Sequence, residues 1–377
     1  MPATKQPGPY AGLFVLDAAQ GIAGPYCGML LAQCGANVVK LEPPSGDWSR
    51  GLSTRSGSHS VMHTAFNRGK RAIMLDLATD EGRARAAKLA AKADVLIEAF
   101  RPGVAARIGL GPESAKPDAV CVSVSGFGQS GPYAERPCTD SVAQAFTGLV
   151  SINPGMDGLP HRVGTQLVDV FSGLSAFAAC QAALAEQARD RASGAAPRKR
   201  HLDISLMQAA ASMLVLPIAE AGLLGRMPDE VNVPAGSYPA SDGVSVMLAL
   251  VREAEWVTFC GVIGRPELPA DPRFLDFPTR FANKPALIAI LREVFLTKTS
   301  TEWLGLLQAA RLLCDRVNTP LDFLANAHVQ AVNAAPLLDQ PGLGLLPIPA
   351  IPGLGAWEKP APALGQDTDA LLAEWGI

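Results

Sequence analysis

Residues 13–42, LFVLDAAQGIAGPYCGMLLAQCGANVVKLE, decide the fold. Leu13–Asp17 is a short apolar run that reads as a buried strand, and the segment after it carries glycines at 21 and 24 and reads as a turn. Pro25 suits the first position of a helix, where a missing N–H costs nothing. The apolar run that follows stops at Gly35, a common helix terminator. Residues 36–42 then return as a second strand. Strand, helix and strand at this spacing form a βαβ unit, and the crossover makes its two strands parallel.

The same alternation continues outward. RAIMLDL (71–77) reads as a strand, and residues 79–93 as a helix opened by Thr79 or Asp80. DVLIEAF (94–100) and AVCVSVSGFG (119–128) read as further strands. From Phe171 to about Arg189 the Leu, Phe and Ala spacing is helical, and HLDISL (201–206) leads as a strand into the helix MQAAASMLVLPIAEAGLL. Near-continuous apolar strands alternating with helices predict an open parallel sheet covered on both faces.

Composition changes at MPDEVNVPAG, where a linker is expected over 227–235. Two strands then flank Asp242-Gly243, a strong turn signal, and three helical segments follow. A smaller α+β domain is therefore expected over 236–313, a second linker at 314–317, and the large domain over 1–226 with 318–377. QPGLGLLPIPAIPGLG (340–355) reads as an extended Pro/Gly-rich segment before a last short helix, TDALLAEWG.

Bulk composition narrows the function. The chain has 377 residues, 48% hydrophobic and 18% charged, enough apolar material for a large core. A net charge of −3 offers no electrostatic case for nucleic acid. Seven scattered cysteines without a CxxC pair signal neither zinc nor a disulfide framework, and read as reduced thiols of a cytoplasmic protein. The N-terminal MPATKQPGPYAG lacks the apolar core of a signal peptide, and no run of about 18 apolar residues predicts a membrane span.

Candidate chemistry is sparse. The first βα turn lacks the GxGxxG spacing of dinucleotide sites, though a helix start there offers N–H groups to a phosphate or thioester. His59 and His63 are four apart without a third ligand, so no metal is expected. No GxSxG elbow occurs. Arginines and lysines at 68, 70 and 71, and at 101 and 107, flank predicted strand ends and suit a phosphate-rich ligand as well as solvent. One carboxylate, Asp169, stands in an otherwise nearly uncharged stretch, HRVGTQLVDVFSGLSAFAACQAALAEQ. It suits an N-cap for the helix beginning near Phe171, complementing the helix dipole. The cap is the favoured reading from residue physics alone; the alternative is a nucleophile, kept ionised by that capping and stripped of water by burial.

Several blocks, taken together, resemble the class III coenzyme A-transferases, the formyl-CoA transferase, carnitine CoA-transferase and α-methylacyl-CoA racemase superfamily. They are residues 16–47, NRGKRAIMLDL, DVLIEAFRPGVAARIGLG, VSVSGFGQSGPYAERP, VAQAFTGL, GTQLVDVFSGL, YPASDG, DPRF and ALGQDTDALLAEWG, in order along nearly the whole chain. The resemblance implies a Rossmann-like large domain built from both termini, a small inserted domain and an interlocked homodimer. It implies no permanent cofactor, with a coenzyme A thioester and a free carboxylic acid as substrates. It places the catalytic aspartate on Asp169, which would pass through a mixed anhydride and an aspartyl-CoA thioester, and puts Ile22, Gly24, Leu75, Ala99, Phe100, Arg101 and Arg107 along the coenzyme A path. An oxyanion site in the Gly21–Gly24 turn is expected.

Three departures from the family pattern stand out: Ala99 replaces an asparagine, Ala78 replaces a lysine, and a glycine-rich lid is absent, which counts against oxalate or formate. The racemase branch carries His-Asp where this chain has Thr139-Asp140, and threonine is no base for an α-proton. Racemisation and acyl-CoA binding without turnover are the rival readings.

Overall fold

The computed structural model describes residues 8–155, 158–229, 232–354 and 359–377. The first seven residues of the N-terminal segment, the centre of the 227–235 linker and the last residue of the Pro/Gly-rich segment lie outside the described residues. The chain divides into two compact units, Met1–Val215 with Ala334–Ile377, and Leu216–Asn333.

The first unit is built on six parallel strands: β1 (Phe14–Asp17), β2 (Asn37–Glu42), β3 (Arg71–Met74), β4 (Val95–Glu98), β5 (Val120–Ser125) and β6 (Arg200–Ser205). Their order across the sheet is β3-β2-β1-β4-β5-β6, the doubly wound Rossmann order. Leu16 lies opposite Val39 on one side and Leu96 on the other. The order in which strands are added reverses between β1 and β4, so a crevice is expected beyond their carboxyl ends.

Period-two alternation sorts the strand side chains onto two cores. Val15, Val38, Ile97 and Val122 pack with helix α1 (Ala23–Gln33) and the later helix at Leu167–Ala192. Leu16, Val39, Leu96 and Cys121 pack on the opposite face with Ala86, Leu89 and Ala90 of the helix Asp80–Ala90, and with Leu371 of the C-terminal helix. Thr79 caps Asp80–Ala90, its hydroxyl accepting from Gly82 N–H at 3.0 Å.

Local readings shift in four places. Pro25 is the third residue of α1 rather than the first, still within the turn whose N–H groups lack intrahelical partners. The helix expected from Phe171 starts four residues earlier, at Leu167. The helix expected across 207–224 is two segments, Leu206–Met213 and Val215–Leu224, because Pro217 has no N–H to bond back across the break. The Pro/Gly-rich tail holds an antiparallel pair, Leu337–Gln340 with Gly344–Pro347. The helix Leu167–Ala192 is also long and apolar enough to cross a membrane. Its buried side chains, Val168, Ala176, Phe177, Cys180 and Leu184, belong to the core against α1, which accounts for that composition.

In the second unit, the strands Gly236–Pro239 and Ser245–Ala249 pair about Asp242-Gly243 as the turn signal requires. A third strand, Leu313–Arg316, pairs antiparallel with Ser245–Ala249, so residues expected as a linker at 314–317 begin as sheet. Leu313 and Cys314 continue the apolar helix preceding them in sequence, and only pairing across the sheet marks them as strand. Trp256, Phe259, Phe295 and Trp303 fill this unit's core.

Candidate active site

The site is assembled on two facing helix starts, α2 (Asp140–Phe146) and α3 (Leu167–Ala192). Asp169 is the third residue of α3. It does not cap the helix, because another carboxylate already does so: Asp140 Oδ2 accepts the N–H of Val168 at 2.7 Å and that of Asp169 at 3.1 Å. Asp140 Oδ1 accepts from Gln144 Nε2 at 2.6 Å, and Gln144 Oε1 accepts from Val163 N–H at 2.9 Å. Among the described residues no group hydrogen-bonds or ion-pairs with the Asp169 carboxylate. It is half-buried. Burial, and then the Asp140 charge, push its pKa up to about 7. Capping was expected to hold it low; the capping donors are spent on Asp140 instead.

Asp169 acts in turn on Cys138, whose thiol is pushed up by burial first and by the Asp169 charge second. Cys138 lines a depression of about 180 Å³ with Ala99, Phe100, Arg101, Ser125 and Arg136 at the carboxyl ends of β4 and β5. Gly126 is required there, since a Cβ would collide with that of Cys138. Arg101 is exposed, and Arg136 lies 5.1 Å from the Tyr133 ring centroid. Neither has an ion-pair partner among the described residues. The depression therefore joins an apolar ring and two guanidinium groups, and the Asp169 carboxylate acts electrostatically on Cys138 in its wall.

The remaining expected positions divide. Leu75 is buried in the core against which Phe100 packs. Arg107 ends the short helix Val104–Arg107, is exposed, and does not line the depression. Ile22 and Gly24 flank Ala23 at the start of α1. Gly173, one turn beyond Asp169 on the same helix face, meets that start so closely that a Cβ would lie 2.6 Å from Ala23 O. The basic cluster at 68–71 does not await a phosphate. Lys70 is buried against Asp17 at 2.7 Å, Arg71 pairs with Glu374 at 2.8 Å, and Arg68 donates to Ala65 O. His59 contacts Gln340 at 3.1 Å, and His63 is buried with its pKa lowered to about 2, chiefly by burial and then by Arg50.

What the sequence did not announce is a buried charge network under the first βα turn. Lys40 pairs with Asp47 at 2.9 Å, Arg50 with Glu42 at 2.6 Å and Lys70 with Asp17, so three carboxylates offset three cations. Burial opposes the charge on Asp47, but Lys40 and the Ser49 and Gly21 amides hold its pKa down at about 2. Asp47 accepts Gly21 N–H at 3.0 Å, which removes that amide from any oxyanion role. It leaves the first-turn amides of Ala23 and Gly24. Lys40 and Glu42, two charges in a strand otherwise rich in apolar residues, were the available hint.

The motif resemblance extends over the fold. The chain belongs to CoA-transferase family III, whose family model matches residues 10–368, and it is a CoA-transferase. It is 33% identical over 354 residues to the acetyl-CoA:oxalate CoA-transferase of Acetobacter aceti, covering 91% of this chain and 88% of that protein. It is 30% identical to the succinate–glutarate CoA-transferase of Agrobacterium fabrum, covering 97% and 95%. Among solved structures, a CaiB/BaiF family protein from Brucella suis matches with a TM-score of 0.83 at 30% identity, covering 98% of this chain and all of that one.

Proposed function

We propose that the protein moves coenzyme A from an acyl-CoA thioester to a free carboxylic acid, with Asp169 as the covalent acceptor. The observation that carries this is the Asp169 carboxylate: half-buried, without a donor of its own, and electrostatically in contact with Cys138 in the wall of the depression. Such a carboxylate is poorly solvated and therefore nucleophilic once ionised.

Asp169 attacks the thioester carbonyl, and the C–S bond breaks to give a mixed anhydride and the coenzyme A thiolate. The thiolate attacks the aspartyl carbonyl, releasing the donor acid and leaving an aspartyl-CoA thioester. An acceptor carboxylate attacks that thioester, expelling thiolate and forming the second anhydride. Thiolate attack on the acceptor's acyl carbon then frees the new acyl-CoA and regenerates Asp169. One thioester and one acid replace another such pair, so little driving force is needed. The first-turn amides of α1 are the candidate oxyanion donors.

Arg101 and Arg136 are suited to the phosphate-bearing end of coenzyme A. The functional unit is a homodimer in this reading. A small dicarboxylic acid is a candidate substrate, since relatives at 33% and 30% identity are named for oxalate and for succinate and glutarate.

The test is mass spectrometry after incubation with acetyl-CoA or succinyl-CoA and no acceptor. A coenzyme A adduct is expected on the peptide bearing Asp169, converted to hydroxamate by hydroxylamine and absent in Asp169→Ala. Exchange between acids without any adduct would end the proposal.

A further inference from the structure

Asp140 does more than an N-cap requires. Serine, threonine or asparagine supplies the acceptor that a helix start needs without a charge. Here the acceptor is a carboxylate, only 7% exposed, bonded through both oxygens and set beside a second carboxylate. Gln144, fully buried, ties it to the backbone at Val163, so α2, the segment before α3 and the first turn of α3 are held as one body. No lysine, arginine or histidine pairs with either aspartate among the described residues. From the elements around Asp169, Asp140 is the charge that acts on it, and the Cys138 thiol is the other titratable group in reach.

We propose that Asp140 is a positioning residue of the transfer reaction: it fixes the turn that carries Asp169, occupies the helix amides that would otherwise quench that carboxylate, and opposes its negative charge with its own. This rests on the reading of Asp169 as acyl acceptor. As the Asp169 oxygen bonds to the thioester carbon, its charge moves onto the carbonyl oxygen and then leaves with sulfur. In both the anhydride and the aspartyl-CoA thioester Asp169 is uncharged. Repulsion from Asp140 is thus present in the resting state and relieved in each covalent state, which favours their formation.

The experiment is single-turnover formation of the coenzyme A adduct from acetyl-CoA or succinyl-CoA, without acceptor, between roughly pH 5 and 9. Wild type is expected to show a rate that rises with pH as Asp169 ionises. Asp140→Asn is expected to slow the adduct by about ten- to a hundredfold and move the acid limb lower by about one unit. Asp140→Glu, which keeps the charge, is expected to be slow but to keep the limb in place. An unmoved limb or an unchanged rate in Asp140→Asn overturns the proposal while leaving Asp169 its role. A wild type that forms no adduct overturns both. Should Asp140→Asn fail to fold, the double variant Asp140→Asn/Gln144→Glu retains the bonding and moves the charge away, and its limb is read in the same way.

Discussion

The main chain of Asp169 is drawn to Asp140 while its side chain is repelled by it: the Asp169 N–H donates to the Asp140 carboxylate at 3.1 Å, and the same carboxylate raises the Asp169 pKa, after burial, to about 7. One residue therefore bears on both where the Asp169 carboxylate stands and how tightly it holds a proton. In chain order the two acids are separated by a loop and a helix, and only the facing of two helix starts joins them.

That coupling makes stability depend on pH in a defined direction. An Asp169 proton is held up to about pH 7 in the folded chain, against 3.8 for a free aspartate carboxyl. Below the lower value both states are protonated and the group contributes nothing. As pH rises through this window the unfolded state ionises first, so the fold loses stability, and the loss levels off above about 7. Asp169→Asn is expected to be more stable than wild type at pH 8 by about 1–3 kcal/mol, and by much less at pH 4. Urea denaturation at the two pH values measures this; equal differences at both would contradict the raised pKa.

Gly21 has φ of +83°, and an added Cβ would run into the Trp48 ring. Gly21→Ala combines a left-handed backbone with a side chain that must be displaced. A loss of about 2–3 kcal/mol is expected. Thermal unfolding reads it, and a variant as stable as wild type would show that the turn relaxes freely.

Lys40 and Asp47 are both fully shielded from solvent and hold the turn through Gly21. Lys40→Met leaves Asp47 buried without its cation, an expected cost of about 3–5 kcal/mol. Adding Asp47→Asn to that variant should recover part of the loss, because no ion is then left unpaired. Failure of the second substitution to recover anything would mean that packing, not charge, sets the cost.

In the second unit, Arg280 is buried between the Trp256 and Phe277 rings, at 4.9 and 4.5 Å from their centroids, and donates to Val233 O at 2.8 Å, Phe274 O at 3.2 Å and Glu253 at 2.5 Å. A lysine keeps the charge but not the planar fork that reaches these partners. Arg280→Lys is expected to destabilise by about 2–4 kcal/mol in urea denaturation. Indistinguishable midpoints would assign the stability to the aromatic core alone.

Much of the architecture is local in origin and so was legible. Five of the six strands of the parallel sheet show as apolar runs, because a strand covered on both faces needs a near-continuous apolar stretch, whereas the edge strand Arg200–Ser205 carries His201 and Asp203. The hairpin about Asp242-Gly243 was equally plain, since a tight turn requires those residues wherever it occurs. The helix Asp140–Phe146 was missed: seven residues are too short to display a period, and its start carries no capping side-chain bond. The start of α3 was set too late because its first turn is capped from outside, by a residue 28 positions earlier.

The sequence by itself determined the strand and helix alternation and the family likeness, since each depends on residue types at fixed short spacing, and through that likeness it pointed to Asp169. The tertiary structure alone decided that Asp169 is neither solitary nor the cap of its helix, that Lys70 serves the core rather than a phosphate, and that Gly21 N–H is already taken by Asp47. Those outcomes depend on charges brought together from positions 26 to 53 residues apart, and electrostatic energy follows distance through space, on which order along the chain is silent.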